Sequence, residues 1–168
     1  MMRKTILTLS MMLLPLLSSA QQFRFGYFSY QDVFRSMAGY SLAVKQVDDL
    51  KKEYDAEMKR VEEEFNKKYE EFLDGQKDFA PTIREKRQAE LQEMMEKNIA
   101  FKREARRLIQ QAEEEAMAPL KRKLNDALNA LGKEKGYAFI INTDNNTLPF
   151  VNDLAGENIN ASLKEKLK

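Results

Sequence analysis

Histidine, cysteine and tryptophan are absent from this 168-residue sequence. Without imidazole or thiol, the usual nucleophile and base pairs and the common zinc and iron sites cannot be assembled. No disulfide can form either, so stability must come from packing or self-association. Glycine is scarce, at 6 residues, and Gly26, Gly39 and Gly75 stand alone, which excludes a phosphate-cradling loop and any expectation of nucleotide-driven action. Neither sign of charge dominates: 28 Lys and Arg face 27 Asp and Glu, interleaved along the chain. Nucleic acid, which selects for a basic face, is therefore not an expected partner.

The acidic residues offer no catalytic or metal-binding pattern. Pairs such as Glu62 with Glu64 and Glu113 with Glu115 have Lys or Arg one turn away, as on a solvated helix face, and no Asp-x-Asp-x-Asp-Gly loop occurs. The expectation is a non-enzyme with no catalytic residue, cofactor or metal.

At the N-terminus, Arg3 and Lys4 precede an apolar run from Ile6 to Leu17 that ends in Ser18-Ser19-Ala20. This has the layout of a secretory signal, and the run is too short for a membrane span of about 20 residues. Residues 1–20 are read as a signal peptide cleaved after Ala20. Their removal leaves the bases one short of the acids.

A long repeat governs the middle of the chain. Val47, Leu50, Tyr54, Met58, Val61, Phe65, Tyr69 and Phe72 recur at spacings of 3 and 4 that sum to an eleven-residue period, the signature of a nearly straight or slightly right-handed helical stripe. Asp74-Gly75 and Asp78-Phe79-Ala80-Pro81 interrupt it, and Thr82 with Glu85 has the spacing of a capping box. A second stripe follows through Leu91, Met94, Asn98, Phe101, Ala105, Leu108, Ala112, Ala116, Leu120, Leu124, Ala127 and Leu131. The pattern predicts two antiparallel helices over 41–77 and 82–135, roughly 55 and 80 Å long at about 1.5 Å per residue. Asn98 on the seam is the kind of polar residue that sets register. Pro119 lacks an N–H for the carbonyl of Glu115, so a bend is expected there.

Aromatic and β-branched residues gather at the two ends instead. Residues 24–29, 137–142 and 147–152 read as three short strands, the last two joined by a turn at Asp144-Asn145-Asn146. Ser29 and Asp32 have capping-box spacing before a helix over 30–37, and Asn160 reads as the cap of a short C-terminal helix over 161–167. The helices offer one stripe each and enclose no core, so the stable body must come from Phe25, Tyr27, Phe28, Tyr137, Phe139, Ile140, Ile141, Phe150 and Val151. A sheet this small commonly needs oligomerisation. The fold class is α+β, with a signal peptide over 1–20, a β body over 21–40 and 132–168, and a coiled-coil-like helical-hairpin arm over 41–131.

Several apolar residues lie off the stripes. Met95 and Ile99 share a face one step from the seam, Ile109 and Met117 lie further along, and Phe79 and Ile83 flank the hairpin tip. They fit either a widened seam or a partly exposed, Met-bearing surface that adapts to many partners.

With these elements in order, the chain resembles the Skp/OmpH family of periplasmic chaperones over essentially the whole segment after the signal. The likeness rests on Gly26-Tyr27-Phe28-Ser29, the junction at 37–40, Pro119 in the return helix, Glu134-Lys135-Gly136-Tyr137 running into Ile140-Ile141, and Asn158-Ile159-Asn160 before the last helix. The resemblance implies a homotrimer whose strands form a central barrel, with three helical arms enclosing a cavity. It implies an ATP-independent periplasmic holdase for unfolded outer-membrane proteins, with only indirect membrane contact. On this chain it places trimer contacts at Phe25, Tyr27, Phe28, Phe139, Ile140, Ile141, Phe150 and Val151. Client contacts would fall at Phe79, Ile83, Met94, Met95, Ile99 and Ile109, and hinges at Gly39 and Pro119. Two departures stand out: Ala38-Gly39 replaces a frequent Pro-Glu at the arm root, and the chain is near neutral where familiar members are basic. The rival reading is an exported trimeric coiled-coil spacer or adaptor that binds one folded envelope partner.

Overall fold

The computed structural model describes residues 24–146, 148–152 and 154–168. The signal-peptide reading, residues 21–23 of the expected body and Thr147 lie outside the described residues. The elements are β1 (Phe25–Phe28), α1 (Tyr30–Ser36), α2 (Tyr40–Gly75), α3 (Pro81–Lys135), β2 (Ile140–Asn142), a 3₁₀ turn (Asp144–Asn146), β3 (Gly156–Asn158) and α4 (Asn160–Lys166). They divide into two compact units, Met37–Lys123 and the chain ends, which comprise residues up to Ser36 and Leu124–Lys168.

In the first unit, Gly39 sits just ahead of α2 with φ of 93°, a left-handed conformation that favours glycine. Its carbonyl accepts from the Ala43 N–H at 2.9 Å, closing the first turn. After Gly75 the chain reverses, and α3 begins at Pro81, where a missing N–H costs nothing because no intrahelical partner exists. The two predicted stripes face each other. From Leu91 to Leu120 every residue of the return stripe is at least half-buried, with Ala105 and Leu120 buried, and of the outgoing stripe only Tyr69 is exposed. Asn98 performs the role expected of it: its Nδ2 donates to the Val61 carbonyl at 3.2 Å, tying one helix to the other. Ring contacts of Tyr54 with Phe101 and of Phe72 with Phe79, and the Lys102–Glu62 ion pair at 3.3 Å, keep the same antiparallel register. α3 continues unbroken through Pro119.

In the second unit the sheet departs from expectation. All pairing is parallel, in the order β2-β1-β3, with Gly26 opposite Ile140 and Glu157. The predicted hairpin around 144–146 does not form. Its turn residues instead serve the start of α1, whose first N–H groups have no intrahelical acceptor. Asn142 Oδ1 accepts from the Tyr30 N–H at 3.1 Å, Asp144 accepts from the Gln31 N–H at 2.9 Å and the Ser29 hydroxyl at 2.6 Å, and Ser29 Oγ accepts from the Asp32 N–H at 3.1 Å. The chain is thus held at the end of β1 and runs on to the other sheet edge.

Three further expectations are corrected. Residues 148–152 form no strand, and the third strand is Gly156–Asn158, a Gly-Glu-Asn segment with little intrinsic β preference. Glycine is needed there because a Cβ at position 156 would lie 2.6 Å from the Phe25 ring. The 137–142 strand contracts to its last three residues because Gly136, at φ 65°, and the Tyr137 N–H, bonded to the Gly132 carbonyl at 3.0 Å, are used to end α3. Asn160 does not cap the last helix. Its Oδ1 accepts from the Ser29 N–H at 2.9 Å, while the position ahead of α4 is Ile159, with no side-chain cap.

The core of this unit is more aliphatic than predicted. Val33, Leu124, Leu131, Ile159, Leu163 and Leu167 are essentially inaccessible to solvent, and α1 packs on α4. Of the expected aromatic core, Phe28 is buried, whereas Phe139 and Phe150 are exposed.

Candidate functional site

At the reversal of the helical hairpin, the ends of α2 and α3 leave an open cleft of about 390 Å³. Phe72, Phe79, Leu91 and Met94 supply its apolar lining, and charged residues rim it. The rim charges pair largely within α3, Arg87 with Glu90 at 3.3 Å and Lys97 with Glu93 at 2.6 Å. The Lys97 ammonium holds the Glu93 carboxyl below the usual carboxylate range. Glu104 beside Arg107 and Glu57 beside Arg60 behave alike, in pairs spaced three residues apart on one helix. Such exposed pairs contribute little to stability. They keep the helices soluble and locally neutral, so the surface between them can be apolar without a strong field of either sign.

The six predicted arm-contact residues divide accordingly. Phe79 and Met94 line the cleft, Ile109 is half-buried, and Ile83, Met95 and Ile99 are exposed, the last two at 46% and 51%. Of the off-stripe residues on α3, Ile109 and Met117 are half-buried, as in a widened seam, whereas Met95 and Ile99 face solvent. Leu42, Val44 and Leu73, not singled out from the sequence, are also exposed, as is the stripe residue Tyr69. Leu73 follows the stripe residue Phe72 directly, a doublet that signals a side chain left outside the seam. Of the predicted hinges, Gly39 has the left-handed backbone already noted, and Pro119 lies on an exposed helix face.

In the other unit, Phe25, Tyr27, Ile140, Ile141 and Val151 are half-buried, Phe139 is exposed, and Phe150 is 80% exposed. Leu154, missed in the sequence, is 93% exposed. A groove of about 500 Å³ beside β2 is lined by Phe28, Leu128, Gly132, Tyr137, Phe139 and Ile140. Among the described residues, β2 and β3 each have a free hydrogen-bonding edge. Exposed edges flanked by apolar side chains are templates for pairing with another chain.

Glu157, on β3, ties that edge down. Its carboxylate accepts from the Tyr137 hydroxyl at 2.5 Å and the Lys135 ammonium at 3.0 Å, and pairs with Arg24 at 3.2 Å. The tyrosine hydrogen bond, then lysine, then the arginine charge hold this carboxyl below its ordinary range, against the opposing effect of burial. Burial, reinforced by the carboxylate, pushes the Tyr137 hydroxyl up to about 12. Because the folded-state pKa of Glu157 is depressed, its contribution is present above the unfolded carboxylate value near pH 4.3 and is lost as pH falls through the folded value. Glu157→Gln is accordingly expected to lower the urea midpoint at pH 7, and the gap from the parent should narrow as pH falls below the unfolded carboxylate value. Equal midpoints at pH 7 would show that this cluster contributes nothing.

Among the described residues there is no group of three or more His, Cys, Asp or Glu side chains arranged to hold a metal ion. No helix among them is long and apolar enough to cross a membrane. The arrangement offers apolar contact surface on charged, amphipathic helices and edge strands on a small sheet. A family model described as outer membrane protein (OmpH-like) matches residues 24–167. No curated protein matches the chain.

Proposed function

The chain belongs to the OmpH-like family, and from that premise we propose that it is an ATP-independent holdase for unfolded outer-membrane proteins. The family is periplasmic and one of chaperones rather than enzymes. Its members' clients are chains whose alternating apolar strands would otherwise pair edge to edge and aggregate.

The reading assigns residues 1–20 to a cleaved signal peptide, 41–131 to the arm, and 21–40 with 132–168 to a body that trimerises into a barrel. Three arms enclose one client. The observation that best supports enclosure is that Ile83, Met95 and Ile99 stand exposed on a helix whose opposite stripe is already satisfied by its hairpin partner. Many such contacts, each weak, hold an unfolded chain and let it go without nucleotide hydrolysis. Gly39 and Pro119 act as hinges that adjust the arms to clients of different size. Phe79, Met94 and Ile109 contribute where the seam opens. Trimerisation through Phe25, Tyr27, Phe28, Phe139, Ile140, Ile141, Phe150 and Val151 is supported by the exposed Phe139 and Phe150 and by the two free sheet edges.

The test is dilution of a urea-unfolded outer-membrane β-barrel protein into buffer with the mature chain, followed by light scattering and native mass measurement. Suppression of scattering at one trimer per client, with a complex of three chains plus one client, is expected. A trimer that leaves scattering unchanged and binds one folded envelope protein instead would establish the spacer or adaptor reading.

A further inference from the structure

We propose that Met95 is an oxidant-sensitive modification site, at which conversion of the thioether to the sulfoxide weakens client holding. The functional half of this inference rests on the holdase reading above. The chemical half does not.

The chain contains no cysteine, so no thiol competes for a two-electron oxidant and the thioethers are the reactive sulfurs. Of the nine methionines, five fall among the described residues. Met37 is buried, Met58, Met94 and Met117 are half-buried, and Met95 alone is exposed. Met94 provides an internal comparison one residue away on the same helix. A step of about 100° turns its side chain toward the cleft with Phe72, Phe79 and Leu91, where a sulfoxide oxygen would lose water without gaining a donor. At 46% exposure, Met95 can form the same sulfoxide at little cost to the fold.

The reaction is a single oxygen transfer. A sulfur lone pair attacks the terminal oxygen of hydrogen peroxide, the O–O bond breaks, the sulfur is oxidised by two electrons, and the peroxide leaves as water. The product is polar and chiral where the thioether was apolar and flexible. Ile99, one turn along and also exposed, makes Met95 part of a two-residue apolar surface that the sulfoxide interrupts. Methionine sulfoxide reductases, drawing two electrons from a dithiol, return the sulfoxide to the thioether and release its oxygen as water, so the site acts as a switch.

The experiment treats the folded mature trimer with hydrogen peroxide and maps the sulfoxides by peptide mass spectrometry over time. In parallel it measures how much treated and untreated protein is needed to keep an unfolded outer-membrane β-barrel chain from aggregating. Met95 is expected to gain oxygen first, with helical circular dichroism unchanged, and the treated protein to hold its client about fivefold more weakly. Reductase treatment restores holding. Met95→Leu is judged by the ratio of its own treated to untreated capacity, expected to stay near one, while Met95→Gln reproduces the treated state without oxidant. Oxidation of Met94 or Met117 before Met95, or an equal treated-to-untreated loss in Met95→Leu, overturns the proposal. If untreated protein holds no client, the holdase reading fails and the switch fails with it. The order of sulfoxide formation then still decides whether Met95 is the reactive site.

Discussion

Replacing Leu163 by alanine is expected to lower folding stability by about 3 kcal/mol, within the roughly 2–5 kcal/mol range for deleting a buried leucine side chain. Leu163 is completely inaccessible and lies on α4 four residues from Ile159 and four from Leu167, which are equally enclosed. Ile159 stands just ahead of this helix of only 7 residues and Leu167 just past it, so the three side chains line up with Leu163 on its buried face. So short a helix has no stability of its own and exists because that face is buried. Since native proteins hold only about 5–15 kcal/mol in reserve, a loss of this size is a large fraction of the total. Urea denaturation followed by circular dichroism measures it. Ser162→Ala, one residue away and only half-buried, should change stability by less than about 0.5 kcal/mol. A Leu163→Ala loss under about 1 kcal/mol would show that the chain-end unit does not depend on α4.

Phe150→Asp is expected to act in the opposite manner, leaving the single chain's fold intact and abolishing assembly. In one chain the Phe150 ring is 80% exposed and residues 148–152 pair with no strand. Its substitution therefore removes almost no packing within the chain. In the proposed trimer the same ring is buried between subunits, where a carboxylate would be desolvated without a partner, a cost of several kcal/mol at each of three related interfaces. Native mass spectrometry at micromolar concentration should show trimers for the parent and monomers for Phe150→Asp, and the monomer should lose client holding because the arms no longer surround anything. A variant that remains fully trimeric would place the subunit contacts elsewhere, with the more exposed Leu154 the next position to test. The two substitutions are diagnostic as a pair: one weakens the chain without touching its exposed surface, the other alters the surface without weakening the chain.

The helical part of the fold was legible to within two residues at each end: helices expected over 41–77 and 82–135 run Tyr40–Gly75 and Pro81–Lys135. Eleven-residue spacing identified the buried stripes, Gly75 and Pro81 bracketed the reversal, and Asn98 was recognised as the register pin that it is. Contact residues were only partly legible. Periodicity shows that Met94 and Met95 point in different directions, but not that the hairpin tip stays open beside Met94 while Met95 faces water. Leu73 was overlooked because it sits beside the stripe residue Phe72 and reads as part of it, and Leu42 and Val44 because they precede the first stripe residue, Val47.

The sheet was the least legible. Composition identified β1 and the end of the 137–142 segment, and the alternation at 147–152 looked like a strand. What a sequence cannot show is which donors an Asn or Asp side-chain oxygen will accept from when its partners are more than a hundred residues away. Besides the local bond from the Asp144 N–H to Asn142 Oδ1, Asn142 and Asp144 bond the Ser29–Gln31 segment, and the expected hairpin gives way to a parallel crossover.

By itself the sequence determined the paired helices, their register and the absence of any catalytic or redox-active thiol centre, because helix hydrogen bonds and stripe periodicity are local and can be counted along the chain. Only the tertiary structure decided the parallel strand order, the aliphatic core formed by α4 and the end of α3, and which apolar side chains remain in solvent. Those depend on contacts between segments at opposite ends of the chain, where three-residue strands carry too little pattern to specify a partner and side-chain capping decides the path.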